Sequence, residues 1–183
     1  MQAARGASLN SSDQADQVPA RRRLDARLLL AAVALAAYAL DLGSKQWALA
    51  ELADGDIPVL GDWFTLHLTF NPGAAFSTGT DFTIVFTGLA MVAVVVVLWL
   101  SRRVASTGWA LALGLLLGGV GGNLTDRIVR EPEAFHGHVV DFLMLPNWPV
   151  FNIADICINV AAGLIILQTF RGVALDGARE SAS

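Results

Sequence analysis

Four long apolar runs divide the chain, at residues 28–49, 82–100, 109–124 and 150–170. With a helical rise of 1.5 Å per residue, about 20 residues cross a ~30 Å hydrocarbon core, so each run approaches spanning length and the third is short. The pattern predicts an all-α membrane protein with four transmembrane helices. Between the first two runs the period changes: Phe64, Leu66, Leu68 and Phe70 alternate with Thr65, His67, Thr69 and Asn71. Strict alternation predicts a half-buried strand, bounded by the turn-formers Gly55, Pro58, Gly61 and Asp62 before it and Asn71-Pro72-Gly73 after it. Such a strand beside a membrane forms a ledge with one apolar face. Residues 128–149 make a second loop, in which Pro132, Gly137, Pro146 and Pro149 break any long helix. Residues 1–20 hold almost no large apolar side chain and are expected to be a disordered tail. That leaves one membrane domain at 21–172 and a short tail at 173–183.

Composition agrees: 55% of the residues are apolar and 15% charged, against about 25% charged in soluble proteins. The net charge of -4 says less than where the arginines sit. Arg21, Arg22, Arg23 and Arg27 precede the first run, Arg102 and Arg103 join the second to the third, and Arg171 and Arg179 follow the fourth. All lie on one side if both termini are cytoplasmic, leaving Arg127 and Arg130 in the outer loops. The first run is too long for a signal-peptide core and continues through Asp41 and Lys45, so it is expected to be retained. The single cysteine, Cys157, has no internal partner for a disulfide.

Polar residues within or beside the apolar runs carry the candidate chemistry, because a carboxylate at the edge of hydrocarbon is costly. Asp41 and Lys45 are neighbours on one helical face, either a structural ion pair or rungs of a proton relay; Lys45 is placed to snorkel outward. Gly114, Gly118 and Gly122 form a small-residue stripe that lets another helix approach closely. Asn123 and Arg127 continue just past it, with Arg127 either facing that neighbour or anchored at the headgroups. Asn152, Asp155 and Asn159 share a face of the fourth helix that points into the bundle. Asp126, Asp141 and Asp155 gather in one segment. Asp141 and Asp155 are read either as a hydrolytic pair at the outer membrane surface or as solvated acids. Of two carboxylates in a poorly solvated site, one keeps its proton and the other stays charged, so one polarises a carbonyl while the other takes a proton from water. Neighbouring amides and an arginine would hold the substrate backbone and the developing oxyanion. His136 and His138 could join Asp141 in a metal site, but with no third strong ligand nearby that signal is weak. His67, on the polar face of its strand, reads as solvated.

Five ordered stretches resemble bacterial lipoprotein signal peptidase, the aspartyl membrane peptidase family also called signal peptidase II. They are Asp41-x-x-x-Lys45, Phe-Asn-Pro-Gly-Ala-Ala-Phe at 70–76, Gly-Asn-Leu-Thr-Asp-Arg at 122–127, Val-Val-Asp-Phe around Asp141, and Phe-Asn-Ile-Ala-Asp ending at Asp155. The likeness covers about residues 25–170. It implies removal of signal peptides from prolipoproteins, just before a cysteine that carries diacylglycerol. Asp141 and Asp155 match the family's catalytic residues, and Asn71, Asn123, Arg127 and Asn152 match its substrate-site residues. Asp41, Lys45, Gly73 and Asp126 are assigned structural roles, Asp126 in support of the arginine. The resemblance also implies a β-cradle on the outer face of the bacterial inner membrane, no cofactor or metal, and prolipoproteins and membrane lipid as partners. No nucleic-acid partner and a monomer are expected. The rival is a small transporter or proton-relay protein, against which stands the absence of any internal repeat.

Overall fold

The computed structural model describes residues 20–73 and 83–179. The expected tail at 1–20, save Ala20, and the Ala74-Ala75-Phe76 stretch lie outside the described residues. Four long helices and a three-stranded sheet follow in the order α1 (Ala20–Glu51), β1 (Ile57–Pro58), β2 (Thr65–Asn71), α2 (Thr83–Ser101), α3 (Thr107–Val129), β3 (Val139–Met144) and α4 (Ile153–Phe170). All four helices are long and apolar enough to cross a membrane.

The bundle places small residues inside and large ones outside. The buried stripe of α1 is Ala26, Leu30, Ala34, Ala37, Asp41, Lys45 and Ala48, steps of three and four that follow one face. Its outward face carries exposed Leu24, Leu28, Leu35 and Leu40. In lipid there is little hydrophobic gain from packing helices together, so close backbone approach and polar contacts hold them. The glycine stripe of α3 supplies that approach. A Cβ at Gly114 would lie 2.8 Å from the Leu30 carbonyl, at Gly118 2.6 Å from the Ala34 carbonyl, and at Gly122 it would clash with Asp41 Oδ2. The neighbour of the stripe is therefore α1. By contrast α2 buries only Thr83, Thr87 and Val97 and exposes most of its Val, Leu and Ile side chains, as a lipid-facing span should.

Several expectations need correction. Helix α3 outlasts its apolar run and carries Asn123, Asp126 and Arg127 in its last turns, so Arg127 belongs to a helix rather than to a loop. Lys45 does not snorkel; it is fully buried. Asn159 is exposed and donates to the Asp155 carbonyl of its own helix, rather than facing into the bundle. The second loop contains the strand β3, and the sheet runs β1-β2-β3, all antiparallel. Residues 173–179 pack beside the start of α3: the Leu175 carbonyl accepts the Ala105 and Ser106 amides, and Trp109 Nε1 donates to the Val173 carbonyl at 2.7 Å.

Candidate active site

Strand register brings the first aspartate to its partners. Asn71 ends β2 opposite Val139, two residues before Asp141 on β3, so Asn71 and Asp141 are diagonal neighbours on one face. A shift of register between Leu66 and Thr69 inserts one extra β2 residue, as in a bulge, next to the pairing that holds Asp141. After β3 the chain turns through Asn147, whose φ of 56° is left-handed, and Phe151 returns alongside the strand: its carbonyl accepts the Phe142 and Leu143 amides at 3.0 and 2.8 Å. That return places Asn152 against Asp141.

Asp141 is 1% exposed. Its Oδ2 accepts from Asn71 Nδ2 at 2.9 Å and its Oδ1 from Asn152 Nδ2 at 2.6 Å. Asn152 also caps α4: its side chain accepts the Asp155 amide at 3.0 Å, while Asp155 Oδ2 accepts the Asn152 amide at 3.1 Å. This capping box fixes Asp155 at the first turn of α4, with Asn152 in contact with both aspartates. The other Asp155 oxygen accepts from Asn123 Nδ2 at 2.9 Å. Burial pushes the Asp141 carboxyl up to about 7; the Asp155 charge pushes the same way, opposed by the Asn71 and Asn152 hydrogen bonds and by the Lys45 charge. The geometry therefore sets a carboxyl that holds a proton near neutrality beside a second carboxylate.

A second polar cluster lies behind the first. Lys45 Nζ contacts Asp41 Oδ2 at 2.7 Å, Asp126 Oδ2 at 2.8 Å and Asn123 Oδ1 at 2.9 Å. Asp126 Oδ1 accepts from Arg130 Nε at 2.5 Å. The arginine that Asp126 pairs with is thus Arg130, not Arg127.

A family model described as signal peptidase (SPase) II matches residues 33–171. The chain belongs to the signal peptidase II family. Three relatives, each a lipoprotein signal peptidase, illustrate the match. The protein of Leifsonia xyli is 43% identical over 96% of this chain and 83% of its own length, and that of Streptomyces coelicolor 48% identical over 87% and 79%. That of Mycobacterium leprae is 42% identical over 91% and 82%. A solved bacterial membrane enzyme, determined by the in meso method at 2.3 Å, superposes with a TM-score of 0.66 at 20% identity, covering 87% of this chain and 94% of that one. That likeness concerns the fold.

Within this signal peptidase II chain, the side chains expected at the substrate divide into two kinds. Asn71, Asn123 and Asn152 spend their amides on Asp141 and Asp155. Arg127 does not: the hydrogen bond its guanidinium makes among the described residues goes to the Pro72 carbonyl at 3.4 Å, and it lies 5.9 Å from the Phe86 ring centroid. Gly73 sits against both groups, at φ 117° and with its absent Cβ only 2.8 Å from the Phe86 ring, so a side chain there would be strained and displaced. Its amide donates to Asn71 Oδ1 at 2.8 Å, which turns the Asn71 NH2 towards Asp141. His136 lies 3.3 Å from Glu133 and His67 2.8 Å from Asp56; among the described residues no three His, Cys, Asp or Glu side chains are grouped to hold a metal. The placement of Asp126 on the Val140 amide, at 3.2 Å, was missed from the sequence; its only signal was an acid one residue before Arg127.

Proposed function

We propose that the protein is an aspartic endopeptidase that removes signal peptides from bacterial prolipoproteins, cutting just before the diacylglyceryl-modified cysteine. Asp141 and Asp155 are the catalytic pair. The observation that carries this reading is the buried Asp141 carboxyl, held near 7 and tied to Asp155 through a single residue, Asn152. At neutral pH Asp141 holds the proton and hydrogen-bonds the scissile carbonyl oxygen. Asp155 takes a proton from the attacking water. Collapse of the tetrahedral intermediate returns that proton to the leaving amine, so neither a metal nor a covalent intermediate is needed. Arg127, which among the described residues hydrogen-bonds the Pro72 carbonyl alone, holds substrate carbonyls and the developing oxyanion. Asn71, Asn123 and Asn152 act chiefly by holding the two carboxylates in register.

The same reading sets the protein in the bacterial inner membrane as a monomer, with cytoplasmic termini and the aspartates near the outer face. It is supported by the gathering of basic segments at one end of the bundle: Arg27 donates to the Arg102 carbonyl and Arg22 lies against Gly177. Incubating purified protein with a diacylglyceryl-modified precursor and with its unlipidated twin tests the reaction. Release of the signal peptide from the first alone is expected; an intact lipidated precursor would overturn the reading.

A further inference from the structure

Lys45 is a buried cation that the proposed chemistry does not use. If it served only to neutralise Asp41 it would need one contact. It has three, ion pairs to Asp41 and Asp126 and a hydrogen bond to Asn123. Each of these acceptors reaches, through another bond, a different edge of the aspartate pair. Asn123 donates to Asp155 Oδ1 at 2.9 Å. Asp126 Oδ2 accepts the amide of Val140, the residue before Asp141, at 3.2 Å. Asp41 Oδ1 accepts the amide of Ala154, the residue before Asp155, at 2.9 Å.

The Asn123 arm depends on the cation in a way that packing cannot replace. An ammonium accepts no hydrogen bond, so the Asn123 oxygen must face it, and the NH2 must then face Asp155. The Asn152 NH2, 3.0 Å from the same oxygen, agrees with that orientation. Without the cation, the Asn152 NH2 alone would be left to hold the oxygen in that orientation.

We propose that Lys45 is a positioning residue for the peptidase reaction: from behind the site, one ammonium fixes both catalytic aspartates through Asn123, Asp126 and Asp41. The proposal rests on the peptidase reading above. Charge alone does not set its value, because Asp41 and Asp126 are balanced by Lys45 and Arg130. The cluster can therefore be made neutral again without the ammonium.

The double variant Asp41→Asn with Lys45→Met does this. Asn at 41 keeps an oxygen for the Ala154 amide, Met fills a volume like that of Lys, and Asp126 keeps Arg130. A misplaced reacting group costs about a hundredfold, so kcat should fall by about that factor while KM and thermal stability stay near the wild-type values. The alkaline limb of kcat/KM should also move upward. The charged groups facing Asp141 are Lys45, Arg127 and Asp155, and removing the Lys45 charge takes away one that favours the ionised carboxylate. A purely structural lysine would move neither quantity once the fold is kept.

Wild-type protein run alongside on the lipidated precursor separates the two claims. A wild type that leaves the precursor intact overturns the peptidase reading. An active wild type with an equally active double variant overturns the positioning role alone. Asp41→Asn with Lys45→Leu is the second neutral pair, again leaving Asp126 with Arg130, and should also fold and lose kcat. Failure of both pairs to fold would overturn the proposal too, because the cation would then be required by the bundle rather than by the aspartates.

Discussion

Two pairs of aspartates lie near each other in this bundle and differ in what they face. Asp41 and Asp126 are fully buried and each contacts the Lys45 ammonium, with Arg130 adding a second cation. Asp141 is as deeply buried, but among the described residues its hydrogen bonds come from neutral amides, and Asp155 stands beside it. Burial alone therefore does not separate a structural acid from a reactive one. Asp41 and Asp126 have a cation beside them to offset their burial, whereas burial and the neighbouring Asp155 charge push Asp141 to keep a proton against the pull of its amide donors. The helix ends sharpen the contrast: Asp41 and Asp155 both accept amides at the start of α4, so both gain from its dipole, yet only Asp41 has a cation between it and its neighbouring acid.

Replacing the acids one at a time breaks the comparison at its strongest point. Asp141→Asn or Asp155→Asn keeps nearly the same volume and removes the shared proton, so each should accumulate normally and lose about 10²–10⁴-fold in cleavage rate, read by release of signal peptide from a lipidated precursor. Asp41→Asn should do the reverse. It leaves Lys45 and Arg130 with Asp126 alone, and breaking a buried pair costs about 3–5 kcal/mol, so thermal unfolding in detergent should register the change before activity per folded molecule does. A stable but inert Asp41→Asn would move that acid from the structural pair to the reactive one.

How far this division could be seen in the sequence depended on spacing. Helices α1, α2 and α4 followed from long apolar runs and β2 from its alternation, and the Asp41–Lys45 contact from a four-residue step on one face. The strand β3 was not legible. All but one of its residues are fully buried, so Val139, Val140, Phe142 and Leu143 lack the alternation that marks a half-buried strand. The two-residue β1 is too short to leave a pattern. The inward turn of Lys45 was also hidden, because a lysine near a helix end ordinarily reaches for water, and here Asp126 and Asn123, far along the chain, draw it inward instead.

The smallest effect is expected where neither kind of pairing exists. His136 and His138 lie outside both clusters, so His136→Ala and His138→Ala should change stability by less than about 0.5 kcal/mol and leave cleavage intact. Activity should likewise survive strong chelation. Loss on chelation with recovery on adding zinc would put a metal where the account has a proton.

The proton itself is the most direct object to measure. The folded Asp141 carboxyl lies at about 7, above its ordinary value of 3.8, so the protonated form is favoured by folding. Stability contributed by this group is full below about 3.8 and is lost as pH rises through about 7. The infrared difference between wild type and Asp141→Asn, recorded across that interval, isolates this carboxyl. The account predicts a protonated-carboxyl stretch that is present in the wild type on the acid side of 7, absent from the variant, and titrated away near 7 in step with the fall of kcat/KM. A carboxyl already ionised throughout the interval, in an enzyme that still cleaves, would contradict it.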